Sequence, residues 1–138
     1  MDNLTPSQRQ KTMRAVKSQG TTPELHVRAL CRELGQPGYR LHRADVPGKP
    51  DLAYLGRHLA IFVHGCFWHG HGCPGGNKTP KTNAAYWRRK LDRNQTRDQL
   101  HQQTLKALGW RVLVLWECEV RAMQPALRKL RRFFQKAA

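Results

Sequence analysis

The feature that most constrains this chain is the segment at residues 64–73, which reads HGCFWHGHGC. It combines three histidines, two cysteines and two adjacent aromatic residues with glycines that permit tight turns. A structural zinc ion takes four nitrogen or sulfur ligands in a tetrahedron. Cys66, Cys73 and one of the two histidines between them, His69 or His71, can supply three of these ligands. The segment therefore predicts a loop folded around a zinc ion.

The fourth zinc ligand has to come from elsewhere, and Cys118 is the best candidate. It follows the apolar run at 110–116, which predicts a buried strand whose end returns to the loop. Cys31 lies in the apolar stripe of a predicted helix, so we expect a thiol packed in the core. A disulfide between Cys66 and Cys73 is the alternative to zinc, and it is disfavoured because we expect no signal peptide.

The spacing of the metal loop leaves two questions open. Cys-x2-His and Cys-x4-His can both close around a metal ion, so either His69 or His71 remains for another role. Phe67 and Trp68 lie in a polar, glycine-rich loop that offers them no obvious core. Exposed aromatic residues often stack on nucleic-acid bases, and the alternative is that this pair covers the zinc site.

The charge of the chain indicates a polyanionic partner. The 138 residues include 25 Lys and Arg against 9 Asp and Glu, for a formal net charge of +16. This length fits a single domain, 1–138. Nucleic acid is the expected partner, with phosphate contacts that make binding depend on salt. An anionic membrane is the competing reading, disfavoured because there is no long apolar run and the basic residues are dispersed.

The order of predicted elements is that of an α/β protein. A basic N-terminal helix, about 6–18, places Lys11, Arg14 and Lys17 on one face, which is either solvated or set against DNA phosphates. A second helix begins at Thr22-Pro23 and ends at Gly35. An antiparallel meander follows at 39–43, 51–55 and 58–63. After it come a helix at 84–108 with a break near Asn94, a strand at 112–115 and a final amphipathic helix from about 124. We predict a mixed sheet with helices around it.

Two acidic residues are candidates for the chemistry. Asp51 begins a predicted strand, and the next strand ends at Val63 and His64, so its carboxylate can face that end. Magnesium is commonly held by one or two such oxygens, with water and phosphate as the remaining ligands. The alternative is an Asp that caps the preceding turn. Glu24 lies in the first turn of the second helix, where it also complements the helix dipole.

Several motifs together resemble the very short patch repair (Vsr) endonucleases. They are PGKPD at 47–51, FVHGCFWHGHGC at 62–73, the Tyr86-Trp87 pair, GWRVL at 109–113 and WEC at 116–118, with MRAV at 13–16 similar to the family's N-terminal helix. The resemblance extends from about Ser7 to Cys118. It implies a restriction-endonuclease-like fold of the PD-(D/E)xK type, with a mixed central sheet flanked by helices and a structural zinc site.

The resemblance also implies an activity. Enzymes of this family nick one DNA strand 5′ to the thymine of a T:G mismatch, which arises when 5-methylcytosine is deaminated, and this nick initiates repair to C:G. We therefore expect a magnesium-dependent hydrolase that acts on double-stranded DNA as a monomer in the bacterial cytoplasm, associated with the nucleoid. Mismatch-repair proteins and a repair polymerase are further expected partners, and no membrane association is expected.

The resemblance assigns roles residue by residue. Asp51 and the carbonyl of Val63 match magnesium ligands, although a Thr stands at this second position elsewhere in the family; a carbonyl ligand survives that change. His64, His69 and Glu24 match the catalytic surround. The matches to the zinc ligands are Cys66, His71, Cys73 and Cys118. The aromatics that enter the DNA stack beside the mismatch match Phe67, Trp68 and Trp87.

Two other functions remain compatible with the sequence. One is a zinc-stabilised protein that binds distorted DNA without cutting it, which would account for the charge, the zinc ligands and the aromatics. It would have no need of Asp51, Glu24 and His69 together. The other is a nuclease of the same fold with a different specificity, such as a restriction or recombination enzyme.

Overall fold

A four-stranded mixed sheet organises the computed structural model, which describes residues 21–66 and 83–136. The strands are β1 (Arg40–Leu41), β2 (Leu52–Tyr54), β3 (Leu59–His64) and β4 (Arg111–Trp116), and they lie side by side in this order. The first three are antiparallel neighbours, whereas β4 runs parallel to β3. The predicted α/β class, mixed sheet and antiparallel meander are confirmed.

Two details of the strand predictions are corrected. The run at 39–43 forms only the two-residue β1, and both of its residues are exposed. The strand expected to be buried, β4, buries only Leu115 fully. In the described sheet it has a neighbour on one side alone, and an edge strand leaves part of its surface to solvent.

Helix α1, Thr22–Glu33, begins and ends at the predicted signals. The side-chain oxygen of Thr21 accepts a hydrogen bond from the Glu24 backbone N–H at 3.4 Å, and Pro23 lies in the first turn, where its missing N–H is harmless. Gly35 follows the helix with a φ of +74°, a conformation that glycine adopts without strain. The N-terminus of α1 thus has a fixed position, and Glu24 is fixed with it.

Helix α2, Ala84–Ala107, is continuous, so the predicted break near Asn94 is wrong. A single Asn in a helix costs only a fraction of a kcal/mol, by propensity less than about 0.7 kcal/mol relative to alanine. Burial of Leu91 and Leu105 along the same helix outweighs this cost. Gly109, with a φ of +87°, follows the helix as predicted.

The C-terminal part forms two helices, α3 (Glu117–Ala122) and α4 (Gln124–Lys136). The short α3 was not predicted; the Glu119 carboxylate accepts a hydrogen bond from the Trp116 backbone N–H at 3.0 Å at its start. The amphipathic α4 is confirmed, but its apolar face is rotated slightly from the predicted one. Leu130 and Phe134 are buried as expected, Leu127 only partly.

The sheet has a hydrophobic core on each face. Leu59 and Ile61 of β3 point to the face covered by α1, α3 and α4, and Ala60 and Phe62 point to the face covered by α2. Cys31 is fully buried in the first core, as predicted, and burial raises the pKa of its thiol to about 11. None of the helices in the described parts of the chain is long and apolar enough to cross a bilayer.

Some predictions concern residues that the structure does not describe. These are the N-terminal basic helix and the central part of the metal loop, with the site residues Lys11, Arg14, Lys17, Phe67, Trp68, His69, His71 and Cys73.

Candidate active site

Asp51 lies where the sequence analysis expected it, beside the end of β3. It directly precedes β2, and the antiparallel register pairs the next residue, Leu52, with Ile61. The Val63 backbone N–H donates a hydrogen bond of 2.7 Å to the Asp51 carboxylate. This bond crosses from one strand to the other and fixes the carboxylate at the end of the hairpin. Asp51 therefore does more than cap the preceding turn.

Glu24 meets Asp51 from helix α1. Its side chain is completely buried, and it is held by an ion pair with Arg28 one helical turn away. The His42 Nε2 atom lies 3.0 Å and 3.1 Å from the two carboxylate oxygens of Glu24. Possible ligand atoms of Glu24, His42 and Asp51 all lie within 4.8 Å of one another. A buried carboxylate with these partners goes beyond complementing the helix dipole, for which an exposed one suffices.

The two carboxylates perturb each other. Burial raises the pKa of Asp51 to about 7; the hydrogen bond from Val63 opposes the rise, and the neighbouring Glu24 adds to it. Near neutral pH the pair thus holds a proton that an isolated Asp would lose. A divalent cation between the two oxygens would replace that proton and offset the repulsion. The donor set therefore fits a hard divalent cation.

Asp51, Val63 and His64 line one side of an open cleft of about 530 Å³. His64 is 6% exposed, and its ring lies 5.3 Å from the Trp116 ring in an edge-on contact. Basic side chains line the same cleft: Lys49 from the loop before Asp51, and Arg97 and His101 from helix α2. The carboxylates that line the cleft are those of Asp51 and of Asp98, which neighbours Arg97. A cleft that combines a carboxylate with basic side chains suits a phosphodiester, whose phosphates need neutralising.

Gly48 brings the long helix against this cleft. Its φ of +78° favours glycine, and a Cβ atom there would come within 2.8 Å of the His101 Cβ. The loop of the PGKPD motif can approach α2 only because this side chain is missing. The motif thus shapes the cleft as well as supplying Asp51.

Sequence reasoning missed His42, Arg97 and His101. The i, i+4 spacing of the last two predicts a shared helix face, but nothing local shows that this face borders Asp51. His42 stands alone between Leu41 and Arg43, with no spacing to mark it. It reaches the site because the backbone turns there, with a φ of +50°.

The sheet register bears on the predicted zinc ligands. His64 pairs with Trp116 across the parallel strands β3 and β4. Cys66 and Cys118 each follow two residues after this pair, so both cysteines lie beyond the same end of the two parallel strands. The strand before Cys118 thus brings this residue back toward the start of the metal loop, as predicted.

Trp87, the one predicted DNA-contacting aromatic that the structure describes, lies in the first turn of α2. Its ring makes an edge-on contact with the ring of Tyr86, with centroids 5.4 Å apart. Tyr86 is 51% exposed, and the Lys90 ammonium lies 5.6 Å from the Trp87 ring centroid. An aromatic pair with an adjacent cation thus borders on solvent.

Known DNA endonucleases resemble this chain over most of its length. Residues 1–75 match the family model described as DNA mismatch endonuclease Vsr. The type II nicking enzyme V.XorIIP of Xanthomonas oryzae pv. oryzae is 48% identical over 86% of this chain and 86% of its own length. The DNA mismatch endonuclease Vsr of Escherichia coli is 38% identical over 84% of this chain and 73% of its own. The type II nicking enzyme V.NmeAIP of Neisseria meningitidis is 34% identical over 98% of this chain and 95% of its own. The chain therefore belongs to the Vsr family of DNA endonucleases.

Proposed function

We propose that the protein nicks one strand of duplex DNA 5′ to the thymine of a T:G mismatch left by deamination of 5-methylcytosine, and so starts repair to C:G. The observation that carries this proposal is the partly buried Asp51, which lines a basic cleft and lies against the fully buried Glu24. A protein that only bound DNA would gain nothing from two mutually repelling carboxylates, which are costly to bury. The activity belongs in the bacterial cytoplasm, where a monomer would meet the mismatch-repair proteins and a polymerase.

The proposed catalytic cofactor is magnesium, held by Asp51 and the Val63 carbonyl. When bound, the ion supplies positive charge to the phosphate oxygens and lowers the pKa of water. Val63 stands beside Asp51 because its N–H donates to that carboxylate. Glu24 adds a second carboxylate beside Asp51. His64 and His69 are the proposed imidazoles for proton transfer, since an imidazole can accept or donate a proton. We assign the arrangement to a nuclease site of the PD-(D/E)xK type.

A structural zinc ion is proposed for the loop after β3. Its ligands are Cys66, His71, Cys73 and Cys118, which fill all four positions of a tetrahedral site. The register of β3 and β4 supports this set, because Cys66 and Cys118 follow paired residues. With no position left for water, the ion would stabilise the loop and take no part in hydrolysis.

Recognition of the mismatch is assigned to aromatic side chains. Phe67, Trp68 and Trp87 would enter the base stack, which costs a few kcal/mol per step and costs less at a mispaired base. Phosphate contacts from the N-terminal helix, through the basic residues Lys11, Arg14 and Lys17, would hold the duplex in register.

A second specificity is favoured by one observation. Several relatives are named type II nicking enzymes, among them those of Xanthomonas oryzae and Neisseria meningitidis, and only the Escherichia coli relative reported above is named a mismatch endonuclease. The protein could share the chemistry while requiring different flanking bases. The same cleft and the same carboxylates would then serve another sequence context.

The test is a strand-cleavage assay with Mg²⁺ and end-labelled duplexes that carry T:G or T:A in a panel of flanking contexts. The test variant is Asp51→Ala. Asp45→Ala is the matched control, because Asp45 is an exposed neighbour that pairs with Arg43 at 2.8 Å. We expect a nick 5′ to the mismatched thymine from the wild type and from the control alone.

Each of the other outcomes would contradict part of the proposal. Cleavage of T:A and T:G at equal rates would replace the repair function by that of another nuclease. Tight binding without cleavage in every context would leave a DNA-binding protein. Cleavage by Asp51→Ala at the wild-type rate would refute the proposed active site.

The role of Trp68 is tested separately. We expect Trp68→Ala to lower the ratio of T:G to T:A nicking while zinc content, measured by atomic absorption, stays at one ion per chain. An unchanged ratio would contradict the insertion of Trp68 into the base stack, and loss of zinc would show that Trp68 covers the metal site.

A further inference from the structure

His42 brings a nitrogen atom to the pair of carboxylates. It follows β1, and its backbone N–H donates to the Asp51 carbonyl at 3.4 Å. Its side chain is only 12% exposed. The Nε2 atom lies 3.0 Å and 3.1 Å from the two oxygens of Glu24. The imidazole therefore lies against the acidic pair and is largely shielded from solvent.

The separation of the nitrogen and the carboxylate oxygen fits two ligands of one ion. Ligands about 2.1 Å from a metal and at right angles to each other are separated by about 3 Å. The Nε2 atom of His42 lies 3.0 Å from Glu24 Oε1, whereas Arg28 pairs with Oε2. His42 lies 3.1 Å from Oε2 as well, so the ion pair with Arg28 holds the whole carboxylate beside His42 and Asp51 when a cation binds.

We propose that His42 is a direct ligand, together with Asp51 and Glu24, of the catalytic cation. One nitrogen and two carboxylate oxygens make a mixed donor set. Magnesium prefers oxygen ligands, whereas imidazole suits first-row transition metals. This site consequently binds Mn²⁺ more tightly than Mg²⁺, and His42 is the residue responsible. The inference rests on the proposed cation-dependent function, which it extends by adding His42 and Glu24 as ligands and by naming a metal preference.

The probe is Mn²⁺, added to the purified full-length protein. Its affinity is measured by continuous-wave EPR and that of Mg²⁺ by competition. Pulsed EPR detects the hyperfine coupling of nitrogen-14, which an imidazole produces only when it is bound directly to the manganese. The test variant is His42→Gln, since its amide can still donate a hydrogen bond to Glu24 and so preserves a merely positioning role.

Two controls locate the signal. Asp51→Asn should remove tight Mn²⁺ binding, which assigns the ion to this site and not to the cysteine-rich loop. His64→Gln should leave the nitrogen coupling intact, because His64 lies in the same cleft but outside the cluster of Glu24, His42 and Asp51. His42→Asn replaces His42→Gln if thermal unfolding shows that the latter is not folded.

We expect His42→Gln to lose the nitrogen coupling and to bind Mn²⁺ about tenfold or more weakly, as with other losses around a metal, while Mg²⁺ affinity changes much less. Persistence of the coupling in this variant would overturn the proposal, as would its loss in His64→Gln. If the wild type nicks DNA but shows no nitrogen coupling, the role of His42 as a ligand is refuted and the proposed function stands. Coupling that depends on His42 in a protein that never nicks would instead refute the proposed function.

Discussion

The strongest prediction concerns the proton held by the partly buried Asp51 beside the buried Glu24. In the absence of magnesium, Asp51→Asn should remove the part of the pH dependence of the unfolding free energy that comes from Asp51. The pKa of Asp51 rises from its ordinary 3.8 to about 7 in the fold. Since a tenfold change in proton affinity is about 1.4 kcal/mol, ionising this group costs the folded protein about 4 kcal/mol.

The sign follows from where the proton binds. Between pH 4 and pH 7 the folded state keeps the Asp51 proton, whereas the unfolded state has lost it. The free energy of unfolding therefore falls as the pH rises through this window and levels off above about 7. Asn resembles the protonated acid: its oxygen can still accept from the Val63 N–H, and its amide can donate to Glu24.

The assay is urea denaturation of both proteins in chelator-free, magnesium-free buffer from pH 5 to pH 8. Protonation of the proposed zinc ligands affects both proteins alike, so the difference between them isolates Asp51. We expect the unfolding free energy of the wild type minus that of the variant to fall by about 2.5 kcal/mol over this range. A constant difference, or one that rises with pH, would refute the shared buried proton.

Three further predictions follow from the same geometry. Gly48→Ala should lower both the nicking rate and the melting temperature, because the added Cβ would clash with His101. Gly35→Ala is the control: its φ is similar but the space around it is open, so it should cost only about 1 kcal/mol of stability. Equal losses in the two variants would contradict the close approach of Gly48 to His101. Arg28→Met should destabilise the protein by about 3 kcal/mol in denaturation experiments, since it removes the guanidinium that pairs with the buried Glu24 carboxylate, and a near-neutral effect would disprove that dependence. DNA affinity should fall about a thousandfold between 50 and 200 mM salt, measured by fluorescence anisotropy, and a flat dependence would argue against phosphate contacts.

Much of the architecture could be predicted from local sequence. Thr21, Pro23 and Gly35 mark the bounds of α1 because capping and backbone conformation are local properties. The alternation of apolar residues indicated the antiparallel hairpin that brings Asp51 to Val63. The errors arose where packing decided the outcome. Helix α2 passes Asn94 unbroken because its buried leucines hold it to the sheet, and β4 is half-exposed because of its place at the sheet edge.

Local sequence was enough to predict the composition of the site: its basic charge, its candidate metal ligands and the position of Asp51 at the start of a strand pair. It could not determine that Glu24 and His42, 18 residues apart, would meet Asp51, since no periodicity links a helix start, a turn and a strand. Their meeting depends on how α1 docks against the sheet. Only that packing removes water from the carboxylates, raises the pKa of Asp51 and brings an imidazole within 3.0 Å of Glu24.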